Sequence, residues 1–468
     1  MNIERFEIPG LAQYSYIVST RGLAVVVDPI RDIDRYLDYA QQHSLIITHI
    51  LETHIHADYA SGATALAAAS GAELYLSAHD TNELFEYAFP HHPFGDGESF
   101  SVGDIRVQAV HTPGHTPEHL SFLLFDTTRS ATLPASLFSG DFLFVGSLGR
   151  PDLLGEAAKQ QLAQELYTSL KQRILTLPDS LEVLPGHGSG SLCGAGMSDR
   201  QQSTLGYERN VNPFFHLSAD TFTQQILTTV PPFPTYYPRM KALNAAGAPI
   251  LSALPGDTSI PFAQLQQLIA TQPITLLDLR RPESFGGAHI PNSINIGAGQ
   301  NLSLWAGWLL DPNHPIVLID ETGSNSQAFA EARRSLIRVG LDNILGYVSG
   351  GIAGWIDSSL PLSQIPQVAP SQLLALTQAA TRGIILDVRS DTEWNNGHIV
   401  NARHIPLGDL TQHLNELQPQ QTIYTVCGSG YRSSIAASLL AAQGFTSVSN
   451  MAGGMSAWNH QQLPVTKS

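Results

Sequence analysis

Thr53-His54-Ile55-His56-Ala57-Asp58-Tyr59 is the stretch on which the reading of this chain turns. It follows the apolar run Leu45 to Leu51, so it falls where a strand gives way to a loop, and neighbours at a strand end can converge on one point. Imidazoles and a carboxylate in that order are metal-ligand types, and tyrosine closes the cluster where a second metal would want another histidine. The other ligands must come from farther along. His115 lies in Thr112-Pro113-Gly114-His115, Asp141 in Phe138-Ser139-Gly140-Asp141, and His187 in Leu184-Pro185-Gly186-His187. Each follows a segment that reads as a strand (Ile105 to Val110, Ala135 to Phe138, Leu181 to Leu184), with glycine allowing the turn that presents the polar residue. A lone histidine is more often a packed imidazole than a ligand. Four strand-end clusters in sequence point instead to a metal site built from imidazoles and carboxylates.

With these residues the N-terminal half resembles the metallo-β-lactamase superfamily, whose αβ/βα sandwich carries metal at its strand ends. Two branches compete. A binuclear thioester hydrolase of the glyoxalase II type would need a histidine where this chain has Tyr59, together with Asp58 and His187. Persulfide dioxygenases hold one Fe(II) with two histidines and one aspartate, and the resemblance carries that triad to His54, His115 and Asp141. It leaves His56, Asp58, Tyr59 and His187 behind the ligands, orienting them. Two neutral imidazoles and one carboxylate on one face of an octahedral iron leave three positions open, enough for a sulfur and O2 side by side. A phenol is a poor ligand at neutral pH because its pKa is about 10, so Tyr59 either donates a hydrogen bond or simply packs.

Two further stretches look like the same dioxygenase family. Gly149-Arg150-Pro151-Asp152-Leu153 matches its Gly-Arg-x-Asp segment, which implies that Arg150 shapes the substrate site; an Arg150–Asp152 ion pair is the other reading. The glycine-rich run Gly186 to Gly194, with Ser203 to Arg209 after it, resembles the subgroup fused to sulfurtransferase modules. Cys193 within that run either faces the iron pocket and meets substrate sulfur or fills space.

The second half repeats itself. Leu277-Asp278-Leu279-Arg280 followed by His289-Ile290-Pro291 recurs as Leu386-Asp387-Val388-Arg389 followed by His398-Ile399-Val400, and both copies close on Gly-Gly-x-x-x-Trp at Gly350 to Trp355 and Gly453 to Trp458. Short apolar runs alternating with amphipathic segments imply two α/β units with parallel sheets, and both resemble rhodanese domains. In the second copy the strand Thr422 to Val426 leads into Cys427-Gly428-Ser429-Gly430-Tyr431-Arg432-Ser433-Ser434 and a helix expected over Ile435 to Gln443. A thiol before a helix N-terminus meets backbone N–H groups and the positive helix end, which favour thiolate, and the same amides can hold an outer sulfur or an oxyanion. Arg432 is expected to add positive charge, and Gly428, Ser429, Gly430 and Tyr431 to line the substrate. In the first copy the strand Pro315 to Ile319 runs into Asp320-Glu321-Thr322-Gly323-Ser324-Asn325-Ser326, with aspartate in place of the nucleophile and Asn325 in place of arginine. A carboxylate cannot carry a sulfane sulfur, so this copy reads as catalytically silent, with a structural use.

The chain of 468 residues therefore reads as an α/β multidomain protein: a metallo-β-lactamase-like domain at 1–248, a silent rhodanese-like domain at 249–364 and an active one at 365–468, with proline-bearing linkers at Val230 to Pro249 and Pro361 to Pro370. A formal net charge of -16 argues against nucleic acid or an anionic membrane surface as partner. No basic, apolar leader opens the sequence and no apolar run approaches the roughly 20 residues that span a bilayer, so a cytoplasmic protein is expected. The two cysteines, Cys193 and Cys427, fall in different domains, which argues against a structural disulfide. A homo-oligomer is expected.

The resemblance implies an enzyme of sulfide detoxification. One Fe(II) per chain would oxidise a low-molecular-weight persulfide (of glutathione, coenzyme A or a similar thiol) with O2 to sulfite. Cys427 would pass sulfane sulfur to sulfite, giving thiosulfate, or run in reverse. A zinc thioester hydrolase using metal-bound hydroxide, and a sulfur carrier with an inactive metal domain, are the alternatives.

Overall fold

A computed structural model describes residues 1–323, 326–377 and 383–467, so Ser324 and Asn325 lie outside the described residues. Two compact units are present, Met1–Ser252 with Ile337–Gly340, and Ala253–Leu336 with Leu341–Ser468.

In the first unit the expected sandwich forms from two six-stranded sheets. One sets Asn2–Ile8, Gln13–Thr20, Leu23–Val27, Ile46–Leu51, Glu73–Ser77 and His92–Phe94 side by side, antiparallel over the first three strands and parallel from Leu23–Val27 onward. The other runs Ser203–Thr204, Glu182–Pro185, Ser136–Gly140, Leu120–Asp126, Ile105–His111, Ser99–Val102. The strand Leu120–Asp126 explains the layering. Its side chains alternate faces, so Phe122 and Leu124 enter the core shared with Val18, Val25 and Val27 of the first sheet, while Leu123 and Phe125 join the helix side with Leu166 and Leu170. Burial on both faces is why the segment reads as a continuous apolar run. The sandwich brings four strand ends together: Ile46–Leu51 before His54, Ile105–His111 before His115, Ser136–Gly140 before Asp141, and Glu182–Pro185 before His187.

The second unit contains the repeat as two five-stranded parallel sheets of the same order. Ser259–Ile260, Ile344–Val348, Ile316–Ile319, Thr275–Asp278 and Ile294–Asn295 form one, and Gln367–Val368, Val448–Met451, Ile423–Val426, Ile384–Asp387 and Arg403–His404 the other. The matching motifs do matching work. Arg280 pairs with Asp278 at 2.7 Å and Arg389 with Asp387 at 2.7 Å, and the indole N–H groups of Trp355 and Trp458 donate to the carbonyls of Pro361 and Pro464. The closing glycines are required by space: Gly454 has φ +56°, and a Cβ there would lie 2.4 Å from the Cys427 carbonyl oxygen.

One boundary differs from expectation. The helix after Cys427 spans Tyr431–Ala442, beginning four residues before Ile435, directly after Gly430 in a left-handed turn. Serine competes with helix by bonding nearby backbone, which is why the polar run reads as loop. Here Ser433 and Ser434 are buried and their hydroxyls bond elsewhere. Among the described residues no helix is long and apolar enough to cross a membrane.

Trp458 is completely buried among Leu373, Ile385, Val426 and Met455. Trp458→Ala is expected to lower the stability of its domain by about 3–5 kcal/mol, read from the urea transition of the full chain.

Candidate functional site

The structure brings His54, His115 and Asp141 to one point, all buried, with a ligating atom of each within 4.8 Å of the others. Nε2 of His54 and Nε2 of His115 stand 3.9 and 3.6 Å from Asp141 Oδ2. His115 Nε2 and Asp141 Oδ2 have no hydrogen-bond partner although wholly enclosed. Enclosed polar atoms without partners are costly unless something binds them, so this donor set fits a metal ion. Their tautomers fit as well. His115 Nδ1 lies 2.8 Å from the Arg150 carbonyl oxygen, which can only accept, so its proton is on Nδ1 and the lone pair on Nε2. The Thr53 hydroxyl donates to Asp28 Oδ2 at 3.0 Å and so accepts from His54 Nδ1 at 2.9 Å, with the same result. Burial pushes the pKa values of His54 and His115 well below the ordinary value, and neutral imidazoles are the ligating form.

A second cluster sits behind the first. His187 Nδ1 is 2.7 Å from Asp141 Oδ1 and its Nε2 is 2.8 Å from Asp58 Oδ2. Burial opposes charging it, but the two carboxylates outweigh burial and raise its pKa well above the usual value. Gly186 permits this approach, since a Cβ there would lie 2.6 Å from Asp141 Oδ1. Cys193 is buried with its sulfur within 4.8 Å of ligand atoms of Asp58 and His187, and burial, then those carboxylates, raise its thiol pKa. Tyr59 is buried, with its hydroxyl 3.5 Å from the Asp28 carbonyl oxygen. His56 Nε2 pairs with Asp28 Oδ1 at 3.1 Å, and its Nδ1 has no partner.

Arg150 is placed differently from the expected substrate contact. Its guanidinium is buried and spent on Asp152, at 2.6 and 2.8 Å, and on the carbonyls of Leu192 and Pro232 at 2.9 and 3.1 Å. What reaches the metal residues is its backbone oxygen, on His115.

Several supports carry no mark in the sequence reading. Asp28, at the end of strand Leu23–Val27, accepts from the Thr53 amide at 2.7 Å and from His56. His119 Nε2 accepts the Asp141 amide at 3.2 Å; the run His115-Thr116-Pro117-Glu118-His119 was its available signal. Helix Tyr237–Ala246 and the residue before it hold the ligand loop: Lys241 Nζ donates to Ile55 O at 2.8 Å, Asn244 Nδ2 to His56 O and Tyr59 O at 2.8 and 2.7 Å, and Tyr236 Oη to Asp58 O at 3.0 Å.

In the second unit Cys427 is buried, and its sulfur accepts from the Gly430 amide at 3.1 Å and the Ser433 hydroxyl at 3.2 Å. Gly428 and Ser429 carry the loop past the sulfur, and the Tyr431 hydroxyl donates to the Gly297 carbonyl at 2.9 Å. Arg432 does not bring free positive charge. It forms a two-pronged pair with Glu393 at 2.7 and 2.6 Å, and Glu393, whose partial burial opposes ionisation, is held by Arg432 down to about 2. Glu393 is itself fixed by a capping box with Ser390. In the first copy the carboxylate of Asp320 accepts the Gly323 amide, the counterpart of the amide aimed at sulfur in the second copy.

Orientation of the ligating rings predicts a metal-binding effect. Thr53→Val removes the hydroxyl on His54 Nδ1 and is expected to weaken metal affinity about 10- to 100-fold, measured by competition with a chromophoric chelator.

Comparison with known proteins matches this geometry to families. The metallo-beta-lactamase superfamily model matches residues 8–187, and the rhodanese-like domain model matches twice, at 262–358 and 369–461. The solved structure of a metallo-beta-lactamase from Staphylococcus aureus subsp. aureus COL is 35% identical, covers 75% of this chain and 99% of its own, and superposes with a TM-score of 0.66. Hydroxyacylglutathione hydrolase GloC of Haemophilus influenzae is 26% identical over 46% of this chain and 99% of its own length. A beta-lactamase hydrolase-like protein of Xylella fastidiosa is 28% identical over 45% of this chain and 52% of its own, so the chain spans about half the length of that relative. The chain belongs to the metallo-beta-lactamase superfamily and carries one such domain followed by two rhodanese-like domains.

Proposed function

We propose that the protein is a persulfide dioxygenase with one Fe(II) held by His54, His115 and Asp141, coupled to sulfur transfer through Cys427. The observation that carries this reading is His187. Its ring nitrogens are both bonded, to Asp141 and Asp58, and tyrosine stands at position 59, which supports a single ion held by two imidazoles and one carboxylate over a second ion beside it. Fe(II) at such a triad supplies the redox chemistry that joins a sulfur to O2. The net reaction is RSSH + O2 + H2O giving RSH, sulfite and two protons.

The chain's own residues do the rest. The Arg150 carbonyl and the Thr53 hydroxyl keep protons on His115 Nδ1 and His54 Nδ1, so both rings present lone pairs inward. His187 holds its proton against Asp141 Oδ1, fixing which carboxylate oxygen faces the ion. Cys193 stands beside Asp58 and His187, where burial and the neighbouring carboxylates raise its thiol pKa. At the second site the Gly430 amide and Ser433 hydroxyl stabilise negative charge on Cys427 Sγ. That thiolate attacks the outer sulfur of a donor persulfide, the donor's S–S bond breaks, and the carrier leaves as a thiolate. Sulfite then attacks the outer sulfur on Cys427, releasing thiosulfate and restoring the thiolate. Glutathione, coenzyme A and similar thiols all suit the carrier role.

The glutathione-thioester hydrolase among the relatives favours a second reading, hydrolysis of a thioester at the same metal. Oxygen consumption separates the two. Protein reconstituted anaerobically with Fe(II) is expected to take up O2 on addition of glutathione persulfide, matched by sulfite plus thiosulfate; no uptake, with turnover of a hydroxyacylglutathione thioester, would establish the hydrolase. His115→Ala is expected to abolish O2 uptake and spare sulfur transfer, and Cys427→Ser to do the reverse. Loss of both activities in both variants would refute this division of labour.

A further inference from the structure

We infer that the first rhodanese-like copy, lacking a cysteine of its own at the loop, positions the cysteine loop of the second, and that Asn295 is the positioning residue. The inference rests on Cys427 being the sulfur-accepting group.

Asn295 ends the edge strand Ile294–Asn295 of the first copy and is buried. Its side-chain amide donates to the carbonyls of Asp278 at 3.1 Å and Arg280 at 2.9 Å, so the orientation of the group is set by its own sheet. That leaves Oδ1 to accept the Ser434 hydroxyl at 2.7 Å, while the Asn295 backbone N–H donates to the Ser438 hydroxyl at 3.0 Å. Ser434 and Ser438 are four residues apart and therefore stand on one face of the helix Tyr431–Ala442. Two residues beyond Asn295, the Gly297 carbonyl accepts the Tyr431 hydroxyl. The strand end thus grips the helix at its first residue and along its next turns.

The neighbouring residue shows why this matters to chemistry. Ser433, adjacent to Ser434, donates to Cys427 Sγ, and Gly430, which opens the helix, donates its amide to the same sulfur. One residue along a helix is a rotation of about 100°, so fixing Ser434 against Asn295 fixes the direction in which Ser433 points. Apolar contact between the copies is supplied separately: the Trp308 indole lies against Gly408, where a Cβ would meet its Cζ2 at 2.4 Å. To that packing the bonds from Asn295 add a direction, because a hydrogen bond weakens steeply when its angle departs from linear. In the second copy the place of Asn295 is taken by His404, whose Nε2 bonds the Arg389 carbonyl at 2.8 Å, so the outward amide oxygen belongs to the first copy alone.

The test uses the full chain with Asn295→Ala, Ser434→Ala and the double variant. Two quantities are read: the pH dependence of Cys427 alkylation by iodoacetamide, followed by mass spectrometry of its peptide, and kcat and KM for transfer from an organic persulfide to sulfite. Arg432 and Glu393, the charged pair beside the loop, are unchanged in all three. Each single variant is expected to slow alkylation at neutral pH and lower kcat roughly fivefold, the scale of one buried hydrogen bond, with KM unaltered. The double variant is expected to match Asn295→Ala, because the bond that Ser434→Ala removes is already lost there. Unaltered alkylation and kcat in both single variants, or additive losses in the double, would overturn the inference. Ser434→Ala, which removes a single oxygen, keeps the question open to decision should Asn295→Ala fail to fold. Wild-type protein that transfers no sulfur, together with shifted alkylation in the variants, would remove the sulfurtransferase reading of Cys427 and leave the positioning in place.

Discussion

Everything at the metal-binding end of the sandwich hangs on His187 bonding Asp141 with one nitrogen and Asp58 with the other. Two carboxylates in a dry interior repel each other and lose their hydration, a cost of several kcal/mol per ion unless compensated. The shared imidazole bonds one oxygen of each, and the other oxygen of Asp141 faces His54 and His115 without a hydrogen-bond partner. A buried carboxylate oxygen left among neutral imidazoles is what a cation would satisfy. The same bond pair fixes Asp58, and with it the loop that carries His54, so one side chain just past strand Glu182–Pro185 shapes the site from both sides.

The sheets of the sandwich and of the repeat were legible because buried strands leave runs of apolar residues and their ends leave glycine beside a polar group. His115, Asp141 and His187 announced themselves that way, and His54 by the imidazole and carboxylate that follow it at its strand end. Asp28 did not, although it follows a strand as well, because a single carboxylate before proline has too many ordinary uses. Lys241 and Asn244 were invisible for another reason: they lie on a helix about 185 residues from the loop they hold, and no local pattern encodes that distance. Arg150 showed its ion pair with Asp152 in the sequence and hid its other contact. Sequence reasoning weighs side chains, whereas the contact made with His115 is by a backbone carbonyl. Arg432 was credited with a charge that Glu393, a helix-capping residue 39 positions earlier, takes up.

The two rhodanese-like copies show how a duplicated fold can divide its tasks. Both keep the Asp–Arg pair, the glycine pair and the tryptophan that close the unit, so the scaffold is maintained in each. They part at the loop. Where the second copy aims an amide at a thiol, the first satisfies the corresponding amide with its own carboxylate. A copy released from chemistry in this way can keep its fold and use its edge.

The helix Tyr237–Ala246 and its preceding tyrosine occupy the carbonyls of Ile55, His56, Asp58 and Tyr59, yet they lie about fifty residues past the point where the superfamily match ends at 187. A domain trimmed to the recognised family core would keep every ligand and lose the clamp. Its ligand loop would expose four backbone acceptors to water and gain freedom to breathe, so the rings would sample orientations that the intact chain forbids. The span of the superfamily model takes in the residues that gather at the site. The part that holds them still is longer, and anyone dividing the chain into modules would have to cut by mechanics rather than by that span.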